Sequence, residues 1–484
     1  MTVRWFSSPL LRVCVLAFCL VSIAEARIAP QLRDVQTGPL VATDGTEFEL
    51  TRGIVRVPEQ RTAGATASGR TVDLAVVRVR RTGAPASPSA HVILAGGPGD
   101  SGVEQVLGLA RQGGALLADL MAGDVVGIDQ RGTGRSVPNL SSSALYPLPL
   151  DQPGSIESWL PIIERVSKEE AARFRANGVV LEAYNTRESA DDVNAVREAL
   201  GYPRVTLWGR SYGTHLALAT VARHPAIADR LILVSPEGPD HTWKLPSQVD
   251  AVLRRLESRG AGDLIAPLNA ILTRLRSQPI KVAATHPQTD QTAVITLGAF
   301  DIQSAVARAL GDPRSLVTLP AAIREMRDGD FQRMAQLSML QRERGGVQSA
   351  MKMMMDLSSG ASSARLARIE REAATGSLGN AINFPTMYLS RAWGAVDLGN
   401  DFRRPVTSEV PALIMVGDLD PRTPIANARE VAATLSQATV VTLENATHQF
   451  DLFGSAPIRD ILGRFLRGQK LMSDRLTLAP IAFK

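Results

Sequence analysis

A mainly parallel α/β sheet, covered by helices on both faces and interrupted by an inserted helical domain, is the architecture that the 484-residue sequence predicts. Three observations predict it. Short, almost wholly apolar runs recur with helix-like segments between them: HVILAGG from His91, DVVGIDQRG from Asp124, RVTLWG from Arg204, RLILVSP from Arg230, PALIMVGD from Pro411 and TVVTLEN from Thr439. A strand apolar at every position is buried on both faces, as in parallel sheets flanked by helices. Two earlier stretches, FELTRGIVRVP and RTVDLAVVRVRR, instead alternate apolar with polar residues, the pattern of half-exposed antiparallel strands. Finally, a mostly helical stretch separates the fourth apolar run from the fifth. An insertion placed there lies over the carboxyl edge of the sheet, where ligands of open α/β folds bind, and would act as a lid.

The elements follow in order. The first segment has Arg4 and Arg12 ahead of an apolar run from Val13 to Ala24, then Ala24-Glu25-Ala26 as a small-x-small site. This reads as a secretory signal peptide over residues 1–26, cleaved after Ala26, which predicts a periplasmic or extracellular protein. The apolar run is short for a spanning helix, so no stable membrane insertion is expected after cleavage. Both cysteines, Cys14 and Cys19, fall inside the removed segment, leaving a mature chain without disulfides or cysteine metal sites. Residues 27–240 form the first part of the predicted core, 241–404 the helical cap and 405–484 the second part of the core. Within the first part, SSSALYPLPLDQPGSIESW reads as a loop before an amphipathic helix. The chain is 45% hydrophobic and 21% charged with a formal charge of +5. Its Lys and Arg are interspersed with acids rather than clustered, so nucleic acid is not an expected partner.

The chemistry centres on VTLWGRSYGTHLAL. An apolar strand runs through Gly209-Arg210-Ser211-Tyr212-Gly213 into a helix, and glycines two before and two after Ser211 allow it to sit on a sharp exposed turn. The helix start then offers free N–H groups to developing negative charge. A second strand leads into LAGGPGDSG, a glycine-rich loop lacking both the Gly-Lys-Ser/Thr and the Gly-x-Gly-x-x-Gly phosphate spacings. An oxyanion hole made from the N–H groups of Gly97 and Tyr212 is the reading it supports. A serine nucleophile needs a base and an acid to orient it, in the order serine, acid, histidine on this kind of sheet. Of six histidines, His448 alone follows a strand end that comes after a strand-terminal acid. In LIMVGDLDPRTP two acids compete: Asp420 leads into the next helix start, and Asp418 is the fallback.

Taken together, GGPGDSG, DQRGTGRS, GRSYGTHLA, GDLDPRTP and NATHQF resemble the α/β-hydrolase peptidases of the prolyl iminopeptidase and tripeptidyl aminopeptidase type. The resemblance implies a Ser211–Asp420–His448 triad, an oxyanion hole at Gly97 and Tyr212, a cap over residues 241–404 that gates the substrate, and aminopeptidase activity. The chain departs from that pattern at Ala95, where those enzymes usually carry histidine. An aminopeptidase must anchor a free α-ammonium, and Glu237 and Asp240 in SPEGPDHTW are the candidate carboxylates. Met351 and Met353 to Met355 read as a methionine-rich cap core, and Asp129 and Arg131 as braces of their loop. The expected partner is a peptide or small acyl substrate, and the chemistry requires no metal and no organic cofactor. The same triad would also serve a carboxylic ester or lactone hydrolase; a non-catalytic binding protein on this fold is the third reading.

Overall fold

The structure, a computed structural model, describes residues 30–61 and 69–484. The expected signal peptide, its cleavage point and both cysteines lie outside the described residues. A ten-stranded sheet organises the molecule in the order β1-β2-β3-β5-β4-β6-β7-β10-β11-β12. β1 (Leu32–Val41), β2 (Glu47–Pro58) and β3 (Thr71–Arg81) form an antiparallel edge, and β3 runs antiparallel to β5. β4 (Ser89–Leu94), β5 (Asp124–Ile128), β6 (Arg204–Arg210), β7 (Ala228–Val234), β10 (Ala412–Gly417), β11 (Ala438–Glu444) and β12 (Arg475–Thr477) are mutually parallel. β1 and β12 were not expected from the sequence.

The apolar runs are explained by burial on both faces. Along β6, Val205 and Leu207 join one core cluster while Trp208 joins the other. Along β10, Ala412, Ile414 and Val416 alternate with Leu413 and Met415 in the same way. Each such side chain contributes about 1.5–3 kcal/mol by leaving water. One face is covered by α1 (Gly102–Leu120) and, from the end of the chain, a helix over Ala456–Leu466. The other is covered by α3 (Thr186–Ala199), α4 (Tyr212–Arg223) and a helix over Ile425–Ala432. α4 is buried along most of its length because it is apolar nearly all round.

Residues between β7 and β10 cross the carboxyl edge of the sheet. They form α5 (Pro246–Leu256), α6 (Ile265–Ser277), α7 (Ala299–Leu310), α8 (Pro313–Arg327), α9 (Gln332–Arg344), α10 (Ala350–Ser359), α11 (Ser363–Ala373), α12 (Ser390–Trp393) and α13 (Gly399–Phe402); the two core helices that follow are α14 (Ile425–Ala432) and α15 (Ala456–Leu466). The insertion is not purely helical: β8 (Ile280–Thr285) and β9 (Thr292–Leu297) pair as an antiparallel hairpin. It also recruits a segment of the first half of the chain. α2 (Ile156–Ala176) and the loop before it join the cap through Thr296 N–H to Leu150 O at 2.8 Å, Gly154 N–H to Asp301 Oδ2 at 2.8 Å, and bridges pairing Ser141 with Ser349 and Leu145 with Gly346. The seam is fixed by the fully buried Arg342–Asp301 ion pair at 2.6 Å, with Arg342 stacked 5.2 Å over Trp159.

Candidate active site

The strand order reverses around β4, with β5 on one side and β6 on the other, so the loops after β4 and β6 open a crevice at the carboxyl edge. Ser211 occupies the turn after β6 with φ 54° and ψ −125°, a strained conformation for a residue with a side chain. The close approach explains both flanking glycines. A Cβ at Gly209 would stand 2.5 Å from the Gly213 carbonyl oxygen, and one at Gly213 would overlap the Leu94 carbonyl. The loop after β4 lies against the same turn: a Cβ at Gly96 would be 3.5 Å from that of Ser211. Gly97 has φ 107°, a conformation open to glycine. Among the described residues, neither the Gly97 nor the Tyr212 N–H donates to a protein acceptor.

Three side chains from three loops form a relay. His448 Nε2 is 3.1 Å from Ser211 Oγ, and His448 Nδ1 is 2.8 Å from Asp420 Oδ2. Asp420 is fully buried and also accepts from the N–H groups of Arg422 and Thr423, each at 2.9 Å, and from the Thr423 hydroxyl at 2.8 Å. Burial alone would raise its pKa, but His448 and the Thr423 donors hold it well below the usual carboxylate range. Asp418 faces elsewhere: Oδ1 accepts from Asn445 N–H at 2.8 Å, and Oδ2 pairs with Arg259 at 2.6 Å. Of the two acids, only Asp420 meets the imidazole.

The other histidines are committed elsewhere. His215 bridges Gly238 O and Ser359 Oγ, both at 3.1 Å, and burial lowers its pKa. His91 receives the Trp208 indole N–H at 2.9 Å, and burial pushes its pKa down to about 4. His224 pairs with Asp191, His241 with Glu430 and His286 with Glu343. Arg131 is wholly buried, bidentate to Asp192 at 2.7 and 2.8 Å, while Asp129 receives Ser101, Val103 and Arg135. Both hold the loop after β5.

The two candidate ammonium anchors have different surroundings. Glu237 is buried beside the start of α4, its Oε2 2.5 Å from Lys244 Nζ; burial would raise its pKa, but Lys244 and His215 hold it below the usual range. Asp240 gives both oxygens to Ser362, at 2.6 Å from N–H and 2.7 Å from the hydroxyl, and so fastens the start of α11. Cap helix α10 adds a carboxylate that sequence reasoning passed over. Asp356 has its pKa pushed up to about 7, chiefly by burial and further by Glu237, against the opposing Lys352 and Lys244. The signal was a Lys352/Asp356 pair one turn apart inside the methionine run. Met351, Met353, Met354 and Met355 are buried, and Met355 Sδ receives the Tyr212 hydroxyl at 3.2 Å. Beside the Gly97 loop, a polar cavity of about 190 Å³ is bounded by Gly99, Thr133, Ser141, Ser349 and Lys352.

A second residue was missed. Arg210, next to the turn serine, donates to the carbonyl oxygens of His448 at 3.3 Å and Phe450 at 3.4 Å.

Known proteins resemble parts of this chain. Over 183 residues the chain is 29% identical to the tripeptidyl aminopeptidase of Streptomyces lividans, a match covering 36% of this chain and 34% of that enzyme. It is 25% identical over 209 residues to the putative hydrolase YuaR of Escherichia coli, covering 41% and 39% respectively. The matched part thus spans little more than a third of either relative. Among solved structures, an esterase from Thermogutta terrifontis aligns over 86% of this chain and 98% of its own, at 14% identity and a TM-score of 0.38. The profile of the alpha/beta hydrolase fold matches residues 92–453, from the strand before the glycine loop to just past His448. With that match over most of its length, on a sheet whose β4 and β6 loops meet at Ser211, the chain belongs to the α/β-hydrolase fold family.

Proposed function

We propose that this hydrolase is an exported serine aminopeptidase, in which Ser211 attacks an acyl carbon and releases N-terminal residues or short peptides. The observation that carries the reading is the unbroken relay Ser211–His448–Asp420. His448 takes the hydroxyl proton as the C–O bond forms, while Asp420 holds the imidazole tautomer and stabilises the imidazolium. The tetrahedral oxyanion is met by the Gly97 and Tyr212 N–H groups, each such donor contributing about 3 kcal/mol in comparable sites. His448 then protonates the leaving amine, and water attacks the acyl-enzyme by the same relay in reverse.

The aminopeptidase part is supported by Asp356 on α10, a carboxyl group near Glu237 that makes no ion pair or hydrogen bond among the described residues and offers a counter-charge to a substrate ammonium, whereas Glu237 itself is taken by Lys244. Asp240 supports it only indirectly, by seating α11 near Glu237. Export rests on the first 26 residues, and the matched Streptomyces enzyme, a tripeptidyl aminopeptidase by name, lends its substrate class.

Hydrolysis of aminoacyl, prolyl and tripeptidyl anilides, compared with short acyl esters and with S211A as control, tests the assignment. Amide turnover that disappears in S211A is expected. Ester or lactone turnover without amide turnover replaces the peptidase with an esterase using the same residues. No turnover of either, with no labelling of Ser211 by a fluorophosphonate, leaves a binding protein.

A further inference from the structure

Cap and core meet again beside the loop that carries Asp420, and there the charges do not pair. Arg422 follows Asp420 by two residues, and its guanidinium lies against the end of α7. A Cβ built on Gly311 would stand 2.8 Å from Arg422 Nε and 3.3 Å from Cζ. Arg308 sits one turn earlier on the same helix end, its carbonyl receiving the Gly311 N–H at 3.0 Å. Two guanidinium groups, one from the cap and one from the core, therefore share this corner. Neither side chain has an ion pair or hydrogen bond among the described residues, although both keep solvent-exposed surface.

The adjacent carboxylates are already occupied. Asp420 serves His448 and Thr423, while Asp312 caps α8 by accepting from Ser315 N–H at 2.9 Å and its hydroxyl at 2.6 Å. Burial lowers the pKa of both arginines, and the charge of Arg422 lowers that of Arg308 further. The carbonyl end of α7 offsets part of the charge without neutralising it. Two neighbouring cations that reach solvent and have no counter-ion offer an incoming anion two partners at once, and planar guanidiniums are suited to a bidentate carboxylate.

We infer that Arg308 and Arg422 form an anion-binding subsite at the junction of cap and core, which takes a carboxylate of the substrate. The inference rests on the hydrolase reading of the neighbouring triad. The carboxylate is either the free C-terminus of a short peptide or an acidic side chain, and the test separates the two.

Three peptides are compared by kcat/KM: Ala-Ala-Ala-Ala, its C-terminal amide, and Ala-Ala-Ala-Glu amide. A fourth comparison, 4-nitrophenyl hydrogen succinate against 4-nitrophenyl butyrate, needs no peptidase activity. The wild type is expected to favour a carboxylate-bearing member by about tenfold, the scale of a hydrogen bond to a charged group. R308Q and R422Q should each bring that ratio close to one, and G311A, which displaces the Arg422 side chain, should lower it. Preference for the free tetrapeptide over its amide identifies the C-terminus; preference for the glutamyl amide identifies an acidic side chain. Cleavage of esters without cleavage of any peptide removes the peptidase reading alone, and the succinate/butyrate ratio then decides. Should no substrate turn over, melting of wild type, R308Q and R422Q in succinate against chloride at matched ionic strength gives the answer, with stabilisation expected in the wild type only. Wild-type ratios near one in every cleaved pair, a preference that survives in both glutamine variants, or no succinate-specific stabilisation in an inactive protein overturns the subsite.

Discussion

Replacing Arg210 by methionine keeps most of the apolar stem and removes two hydrogen bonds that tie the His448 loop to the serine turn. The bonds, at 3.3 and 3.4 Å, lie beyond the usual N–H···O range, so the low end of the charged-donor scale applies, about 1–1.5 kcal/mol each. If the 2–3 kcal/mol held in that tether serves to keep His448 aimed at Ser211, kcat falls by about 30- to 150-fold at 1.36 kcal/mol per decade. Stability should move much less. The guanidinium is buried without a carboxylate contact and its pKa is lowered by that burial, so methionine also relieves a desolvation cost. Lysine, with one compact donor head, should recover part of the loss. The assay is steady-state hydrolysis of a short 4-nitrophenyl ester, with the rate of fluorophosphonate labelling of Ser211 and the melting temperature measured on the same preparations. A kcat within threefold of wild type, or a loss matched by an equal loss of folded protein, would refute the positioning argument.

Other outcomes follow from the same geometry. D420N should lower kcat by about 10⁴ because the amide no longer stabilises the imidazolium, whereas D418N, whose single amide oxygen keeps only one of the Arg259 and Asn445 contacts, should lower the melting temperature while leaving kcat within about tenfold; measuring both variants side by side identifies the working acid. G213A forces a methyl group onto the Leu94 carbonyl, so a stability loss of about 1–3 kcal/mol by denaturant titration, together with a fall in kcat as the Tyr212 N–H shifts, is expected. With the Asp356 pKa pushed up to about 7, KM for a free-amine substrate should fall as pH rises from 5.5 to 7, below the range in which the substrate ammonium loses its own proton, and this fall should be absent in D356N. The raised pKa has a stability consequence of definite sign. Between the ordinary aspartate value of 3.8 and about 7 the folded chain holds a proton that the unfolded chain has lost, so stability declines as pH rises through that window, and denaturant titrations of D356N should lack this decline.

How much could be read in advance depended on whether a residue's role was set by its neighbours along the chain. β6 and β10 were legible because every position is buried on one face or the other, which leaves a continuous apolar run. β1 was not legible: Leu40 is its only buried residue, and the strand is held by backbone pairing to β2, which leaves no side-chain pattern. The hairpin of β8 and β9 carried an alternating pattern but lay inside a stretch dominated by helices. Chain order brought out Ser211 and His448, yet could not separate Asp418 from Asp420. That choice is made by Arg259, which follows α5 in the cap, and by Asn445 beyond β11; together they turn Asp418 away from the imidazole. Arg210, Arg308 and Arg422 were equally hidden, since an arginine's partner, or lack of one, exists only in the folded molecule.

The charged groups singled out by their surroundings are divided between core and cap. Glu237 follows β7 of the core and Asp356 lies on cap helix α10; Arg422 follows β10 of the core and Arg308 ends cap helix α7. The two pairs differ in what offsets them: Glu237 is taken by Lys244 at 2.5 Å and Asp356 keeps its proton up to about pH 7, whereas Arg308 and Arg422 have no carboxylate partner among the described residues. Core and cap are held together by direct bonds, among them Asp240 to Ser362 at 2.6 and 2.7 Å, His215 to Ser359 at 3.1 Å and Arg259 to Asp418 at 2.6 Å. On the peptide reading proposed above, an ammonium near Asp356 and a carboxylate between Arg308 and Arg422 would each touch both core and cap, so binding would add to bonds that already join the two.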